Sequence, residues 1–347
     1  MNEKSPTIEE WRSLYQVAIE FKKLKPWEWM YDDDIFGVIN PETGEICYCC
    51  IMGNLGGYFG IGAYLGSEGL NGILKLLSGE VDPEDPDNKY IQKCLMASFE
   101  DRDILLKEDR NVIKELGLKF RGRNEWPLFR NHTPGFFPWF INDKECRFLT
   151  HILGQAIHVS LMCRDDGKEI LYHKDPLTFL TRVPELKNGE IEWHDEYIQV
   201  EPFTLKYPSF YMNDEVRIKR LQLLGKRKSS PWEIDTFFSP GPVKDDYRPY
   251  YPKIFMIIEQ ARGIILSCDM VKDIKKEGYK FIENFVNTIE CLKMFPSRIY
   301  VKREETYYLL EDICKQLGIN MEMTDELIRL QSARNDMTNF FNGYFND

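Results

Sequence analysis

The stretch Pro26–Gly66, PWEWMYDDDIFGVINPETGEICYCCIMGNLGGYFGIGAYLG, constrains the fold more than any other. Pro26 stops a preceding helix, because proline lacks an amide hydrogen and pushes the residue before it out of the α region. Trp27 and Trp29 then share one side if the chain is extended. Ile35–Ile39 reads as a strand, Asn40–Glu45 as a loop of turn formers and Ile46–Met52 as the returning strand of a hairpin. Gly56 and Gly57 lead into a third strand, Tyr58–Leu65. Tyr58, Gly60, Gly62 and Tyr64 fall on one of its sides, and Phe59, Ile61, Ala63 and Leu65 on the other. Two glycines between tyrosines leave a shallow apolar hollow. A helix packed over the hollow is its ordinary occupant, and a ligand is the alternative.

The rest of the first half alternates helices with strands. Pro6–Lys23 is expected to be a helix started by Ser5 with Pro6 in its first turn, with Thr7 and Glu10 as an alternative capping box. Ser67 is expected to cap a short helix through Leu77. Tyr90–Phe99 reads as a strand, Lys107–Leu116 as a helix and Asp143–Cys163 as a long helix. That long helix turns Cys146, Leu149, Ile152, Leu153, Ala156 and Ile157 to the core. Lys174–Val200 reads as strands about the Asn188-Gly189 turn. The fold class expected for this half is an α+β domain with a mostly antiparallel sheet. In the second half, Trp232–Phe238, Lys253–Gln260 and Gly263–Cys268 read as strands and Tyr279–Met294 as a helix. Arg298–Val301 is a strand, Glu304–Leu317 a helix, Asn320–Met323 a strand and Asp325–Phe341 a closing helix. This βββαβαβα order describes an α/β domain with a mixed sheet. Ile254, Met256 and Ile258 alternate with Phe255 and Ile257, so that strand is expected to be covered on both faces. The division follows as residues 1–200, a helical basic linker at 201–230 and residues 231–347, with Gly225–Pro231 the best linker segment.

Two parts of the chain together resemble a group of bacterial two-domain proteins known as domains of unknown function. One is PWEWMYDDDIFGVINPETGE with YFGIGAYLGSEGL behind it, and the other is RPYYPKIFMIIEQARGIIL with CKQLGINMEM. The resemblance implies no activity and no site residues. The C-terminal element order is similar to the ribonuclease H-like fold, an analogy of topology.

The formal net charge of −11 disfavours nucleic acid and anionic membranes as partners. The polar first residues do not read as a signal peptide, and no apolar run reaches transmembrane length. Nine scattered cysteines read as reduced thiols, so a cytoplasmic location is expected. The CYCC run at Cys47, Cys49 and Cys50 lacks the spacing of a zinc site. His151 and His158 lie too far apart on their helix to ligate one ion as a HExxH pair does. GNLGG at Gly53–Gly57 reads as a turn, with neither a dinucleotide fingerprint nor a P-loop. Arg217, Lys219, Arg220, Lys226, Arg227 and Lys228 form a basic cluster read as a solvated helix and linker.

Two readings of function follow. The first is a non-catalytic binding or interaction protein of the cytosol, taking a protein or small-molecule partner on Trp27, Trp29, Tyr58, Tyr64 and Trp139. The second is a hydrolase or nuclease holding a divalent ion between Asp235 and Glu304 or Glu305. The lysine and arginine beside those two glutamates compete for them, so neither a cofactor nor a working metal site is expected.

Overall fold

The structure is a computed structural model. It describes residues 4–79, 85–207, 209–224, 228–245 and 247–344. The chain divides into two compact units, Met1–Pro134 with Pro138–Phe203, and Gly135–Phe137 with Thr204–Asp347.

The first unit opens with α1 (Ile8–Leu24). Thr7 Oγ1 accepts from the Glu10 amide at 3.3 Å, and Glu10 Oε2 accepts from the Thr7 amide at 2.7 Å. This is the reciprocal cap expected as the alternative start, and it satisfies two amides that the first helical turn leaves without partners. The helix ends at Lys25, in the left-handed region at φ 54°. Strands β1 (Phe36–Ile39), β2 (Ile46–Met52) and β3 (Phe59–Leu65) follow as read. The turn before β3 closes with the Gly56 amide on the Gly53 carbonyl at 3.0 Å. Then come α2 (Gly66–Ser78), β4 (Cys94–Glu100), α3 (Lys107–Glu115), β5 (Trp126–His132) and α4 (Asp143–Asp166). The hairpin β6 (Thr178–Lys187) and β7 (Glu190–Gln199) completes the unit. Asn188 and Gly189 form its turn, both at positive φ.

These strands make one sheet in the order β5-β4-β3-β2-β1-β6-β7. Every pairing is antiparallel except β1 with β6, where Gly37 faces Thr181. A Cβ at position 37 would run into the Thr181 side chain, so this pairing needs glycine. Both faces are buried over the central strands β1 to β4, whereas β7 is exposed along almost its whole length. On one, Leu14, Ala18 and Phe21 of α1 and Leu149, Ile152 and Leu153 of α4 cover Val38, Cys47, Cys49, Ile61 and Ala97. On the other, Leu70 and Ile73 of α2 cover Tyr48, Cys50, Tyr64 and Phe179. The alternation expected in CYCC is therefore present, with Cys47 and Cys49 on one face and Cys50 on the other.

Three local expectations are corrected. Pro26–Glu28 is a 3-10 turn, so Trp27 and Trp29 are not an extended pair on one side. Ser67 does not cap α2: the cap position is Leu65, without a side-chain hydrogen bond, and Ser67 lies inside the first turn. β4 starts at Cys94 rather than at position 90, because Pro86–Lys89 is a 3-10 turn.

The second unit contains α5 (Glu215–Leu224), β8 (Lys228–Ser229), β9 (Trp232–Phe238), β10 (Lys253–Glu259) and β11 (Ile264–Val271). It continues with α6 (Ile274–Glu277), α7 (Tyr279–Leu292), β12 (Phe295–Pro296), β13 (Ile299–Val301), α8 (Glu304–Leu317), β14 (Met321–Met323) and α9 (Ile328–Tyr344). Its main sheet has the order β11-β10-β9-β13-β14. The first three strands are antiparallel to their neighbours, and β13 and β14 add in parallel. This is the element order and mixed sheet expected from the sequence. Phe255 and Ile257 pack under α7 and α8, while Ile254, Met256 and Ile258 pack under Leu327 and Leu330 of the α9 side. Helix α5 lies within the segment read as a linker, yet Leu221 is fully buried in this core. Arg217 binds Glu283, Asn287 and Glu290 of α7 at 2.7–3.0 Å, so it is tied to a neighbouring helix rather than simply solvated. Gly225, Lys226 and Arg227 lie outside the described residues. No helix among the described residues is long and apolar enough to cross a membrane.

Candidate functional site

The five aromatics singled out in the sequence do not form one surface. Trp27 is 6% exposed and packs against Phe21, Phe59 and Phe99. Trp29 is half-buried, and its Nε1 donates to the Ser160 carbonyl at 2.9 Å. Tyr64 is buried against α2 on the other face of the sheet. Its ring lies over Gly62, so the hollow is filled by the strand's own tyrosine beside the helix. Tyr58 is exposed, with its hydroxyl on the Met96 sulfur at 2.9 Å. Trp139 is half-buried and bridges Asn131 through its backbone.

The acids of the second unit are brought together differently from a metal cradle. Asp235 is 1% exposed, because β9 turns it under the sheet face that α9 covers. Its Oδ2 is bound by the Arg303 guanidinium, and its Oδ1 accepts from Thr306 Oγ1 at 2.9 Å. Glu305 is bound by Lys253 at 2.9 Å and by Thr236 Oγ1 at 3.1 Å. Glu304 accepts from the Tyr207 hydroxyl at 3.1 Å. Glu233, also buried, accepts from the Leu330 amide at 2.9 Å near the start of α9, where the helix dipole favours an anion. A divalent ion would have to displace Arg303 from Asp235 and Lys253 from Glu305, so these residues do not fit a two-metal centre. Among the described residues, no three His, Cys, Asp or Glu side chains converge on a point that could hold an ion.

Two buried thiols of the first sheet, Cys50 and Cys94, are chemically quiet. Burial pushes the Cys50 and Cys94 thiols up to about 12, so neither supplies a thiolate near neutral pH. Cys47 and Cys49 lie 4.0 Å apart, sulfur to sulfur, and burial likewise raises Cys49. Burial lowers His151 and His158, which favours neutral imidazoles.

The site that the sequence did not reveal is a cavity of about 580 Å³ in the first unit. One wall is the second half of α2, with Asn71, Leu74, Lys75 and Ser78 at helical spacing. The facing wall is the segment from Leu171 to Phe179, which carries Tyr172, His173 and Asp175, and Asp33 and Ile35 border it from the entry to β1. One buried carboxylate anchors the Tyr172 side of the cavity. Asp34, 0% exposed, accepts from Lys168 Nζ at 2.9 Å, the Tyr172 hydroxyl at 2.6 Å and the Tyr31 amide at 2.8 Å. The bond to Asp34 raises the Tyr172 phenol, keeping it a donor. His173 Nδ1 accepts from the Asp175 amide at 3.2 Å, so in the neutral ring Nε2 carries the proton. The acidic run Asp32-Asp33-Asp34 was visible in the sequence, but not which of its members turns inward.

Comparison with known proteins finds family models of unknown function and no activity. Residues 11–182 match the family described as domain of unknown function DUF7309, and residues 217–338 match domain of unknown function DUF6930. A search of curated proteins finds no match. Among solved structures, the integrase catalytic core domain of HTLV-2 in complex with magnesium, in its trimeric form, is 16% identical. The match covers 35% of this chain and 74% of that one, with a TM-score of 0.26. The simian T-cell lymphotropic virus intasome in complex with PP2A regulatory subunit B56 gamma is 17% identical. There the coverage is 34% and 39%, with a TM-score of 0.23. Likeness this distant carries no argument about fold or site. The family models of DUF7309 and DUF6930, both of unknown function, match successive parts of the chain and together span most of its length.

Proposed function

We propose that this chain is a non-catalytic binding protein whose first unit takes a small molecule in the cavity between α2 and the segment 171–179. The observation that carries this reading is the cavity itself. Its volume of about 580 Å³ lies in the range of small-molecule sites, and an apolar lining of Ile35, Leu74, Leu171 and Phe179 is interleaved with polar groups on both walls. The buried, fully engaged Asp34 holds the Tyr172 wall in place without the ligand, as a preformed site requires. A cytoplasmic location rests on composition: an acidic chain with nine cysteines, most of them buried as thiols.

Native mass spectrometry of the full chain after incubation with a metabolite extract below about 1 kDa tests this reading. The expected result is a retained adduct that Leu74→Trp, which fills the cavity, abolishes. No adduct on the unmodified chain, or one that survives Leu74→Trp, overturns it.

The second reading, a metal-dependent nuclease, draws support from a buried aspartate on the first strand of the second unit's sheet. Its test is magnesium- or manganese-dependent cleavage of a labelled oligonucleotide that Asp235→Asn abolishes. The engagement of Asp235 by Arg303 and of Glu305 by Lys253 weighs toward the binding reading.

A further inference from the structure

We infer that the cavity accepts a zwitterion, an apolar amino acid or dipeptide bound by its two ends. This rests on the reading of the cavity as a ligand site and concerns what kind of ligand it takes.

The argument comes from which polar groups around the cavity are already engaged. Asp34 is held by Lys168, Tyr172 and the Tyr31 amide. Asp175 accepts from the Leu177 amide at 3.0 Å and from Gln199 at 2.7 Å. Two formal charges on the lining are different. The Asp33 carboxylate and the Lys75 ammonium both line the cavity, and neither forms an ion pair with the other or with any other described side chain. The Asn71 amide, one helical turn before Lys75, is likewise without a side-chain hydrogen bond. Asp33 belongs to the entry of β1 and Lys75 to the last turn of α2, so different elements present the two charges.

A carboxylate and an ammonium that do not neutralise each other suit a ligand carrying both opposite charges. The ligand ammonium would meet Asp33 and the ligand carboxylate Lys75, with the Asn71 amide and His173 Nε2 as further donors. A ligand with one charge engages only one of the two protein charges and leaves the other to water, so a zwitterion gains the most charge-assisted contacts. Leu74 and Phe179 supply an apolar lining for the ligand's side chains. The volume of about 580 Å³ exceeds what a single free amino acid fills and leaves room for a dipeptide.

Isothermal titration calorimetry of the full chain with L-leucine and L-leucyl-L-leucine tests the inference. Controls are the dipeptide's N-acetyl form, which lacks the ammonium, and its C-terminal amide, which lacks the carboxylate. At least one zwitterion is expected to bind, and each capped form to bind up to about fivefold more weakly, the upper range for one exposed charge contact. Asp33→Asn is expected to abolish the discrimination against the acetylated form, and Lys75→Met that against the amide. Both positions are at the surface, so both variants are expected to fold, which their melting curves check. Failure of both zwitterions to bind, or equal binding of the capped forms, overturns the inference. If that happens while a metabolite adduct is still lost in Leu74→Trp, the cavity reading stands and only the ligand class falls. If Leu74→Trp changes nothing, the cavity reading falls as well.

Discussion

Replacing Asp34 by alanine tests whether one buried carboxylate anchors the Tyr172 side of the cavity. Asp34 accepts three hydrogen bonds, from Lys168, Tyr172 and the Tyr31 amide, and is itself fully buried. Hydrogen bonds to a charged group contribute roughly 1.5–3 kcal/mol each, before the desolvation of that group is counted. Two effects reduce the sum. The variant no longer has to bury a carboxylate, and two of the three donors can return to water, since Tyr172 is 57% exposed and the Lys168 side chain 27%. The expected net loss is about 2–3 kcal/mol. For a unit of this size, each kcal/mol shifts the melting temperature by roughly 2–4 °C, so Asp34→Ala should lower it by about 5–10 °C. Tryptophan fluorescence during thermal or urea unfolding is a suitable assay: of the seven tryptophans only Trp232 belongs to the second unit. A double-mutant cycle with Tyr172→Phe should show a coupling of about 1 kcal/mol. A loss below about 0.5 kcal/mol for Asp34→Ala, or no coupling to Tyr172, would refute the reasoning.

Trp27→Ala should cost about 3–5 kcal/mol, whereas Trp29→Phe, which removes the bond to the Ser160 carbonyl, should cost about 1 kcal/mol; urea unfolding separates them. Burial depresses His151 in the folded state, so the unfolded chain binds its proton first. Stability should therefore fall as the pH drops below about 6.5, and His151→Gln should flatten the pH 7 to 5.5 part of the profile, as followed by melting temperature. Limited proteolysis should cut within 201–207, where exposed chain carries no helix or strand, before it cuts α5; fragments beginning inside α5 would contradict the packing of Leu221.

Most of the element pattern was legible because local signals agreed with the final packing. Thr7 and Glu10 make the cap their spacing implies, Asn188-Gly189 makes its hairpin, and the two apolar faces of Ile254–Ile258 are both covered. What failed was information that alternation does not carry. Trp27 and Trp29 were assigned a shared side on the assumption of extended chain, and Pro26 set up a 3-10 turn instead. Gly62 announced a hollow, but the ring that fills it comes from Tyr64, two residues along the same strand. The partner of Asp235 was read only in part. Arg303 was expected to compete for the neighbouring glutamates, yet it reaches Asp235 while Lys253 takes Glu305. The cavity was invisible because Asp33, Asn71, Lys75 and His173 are scattered in the chain and meet only after β1, α2 and the approach to β6 are assembled.

The lone parallel pairing of the first sheet also bears on how the chain reaches its folded state. β1 is complete by residue 39, but the strand that flanks its open side begins at Thr178. Closing a loop of that span has a length-dependent entropy of about 4 kcal/mol, which must be met before the Gly37–Thr181 contacts return anything. During synthesis the meander β1 to β5 can therefore form early while one edge of β1 stays bare. An uncovered edge is a template for pairing with another chain. A ribosome paused before the β6 codons would hold the protein with this edge of β1 uncovered.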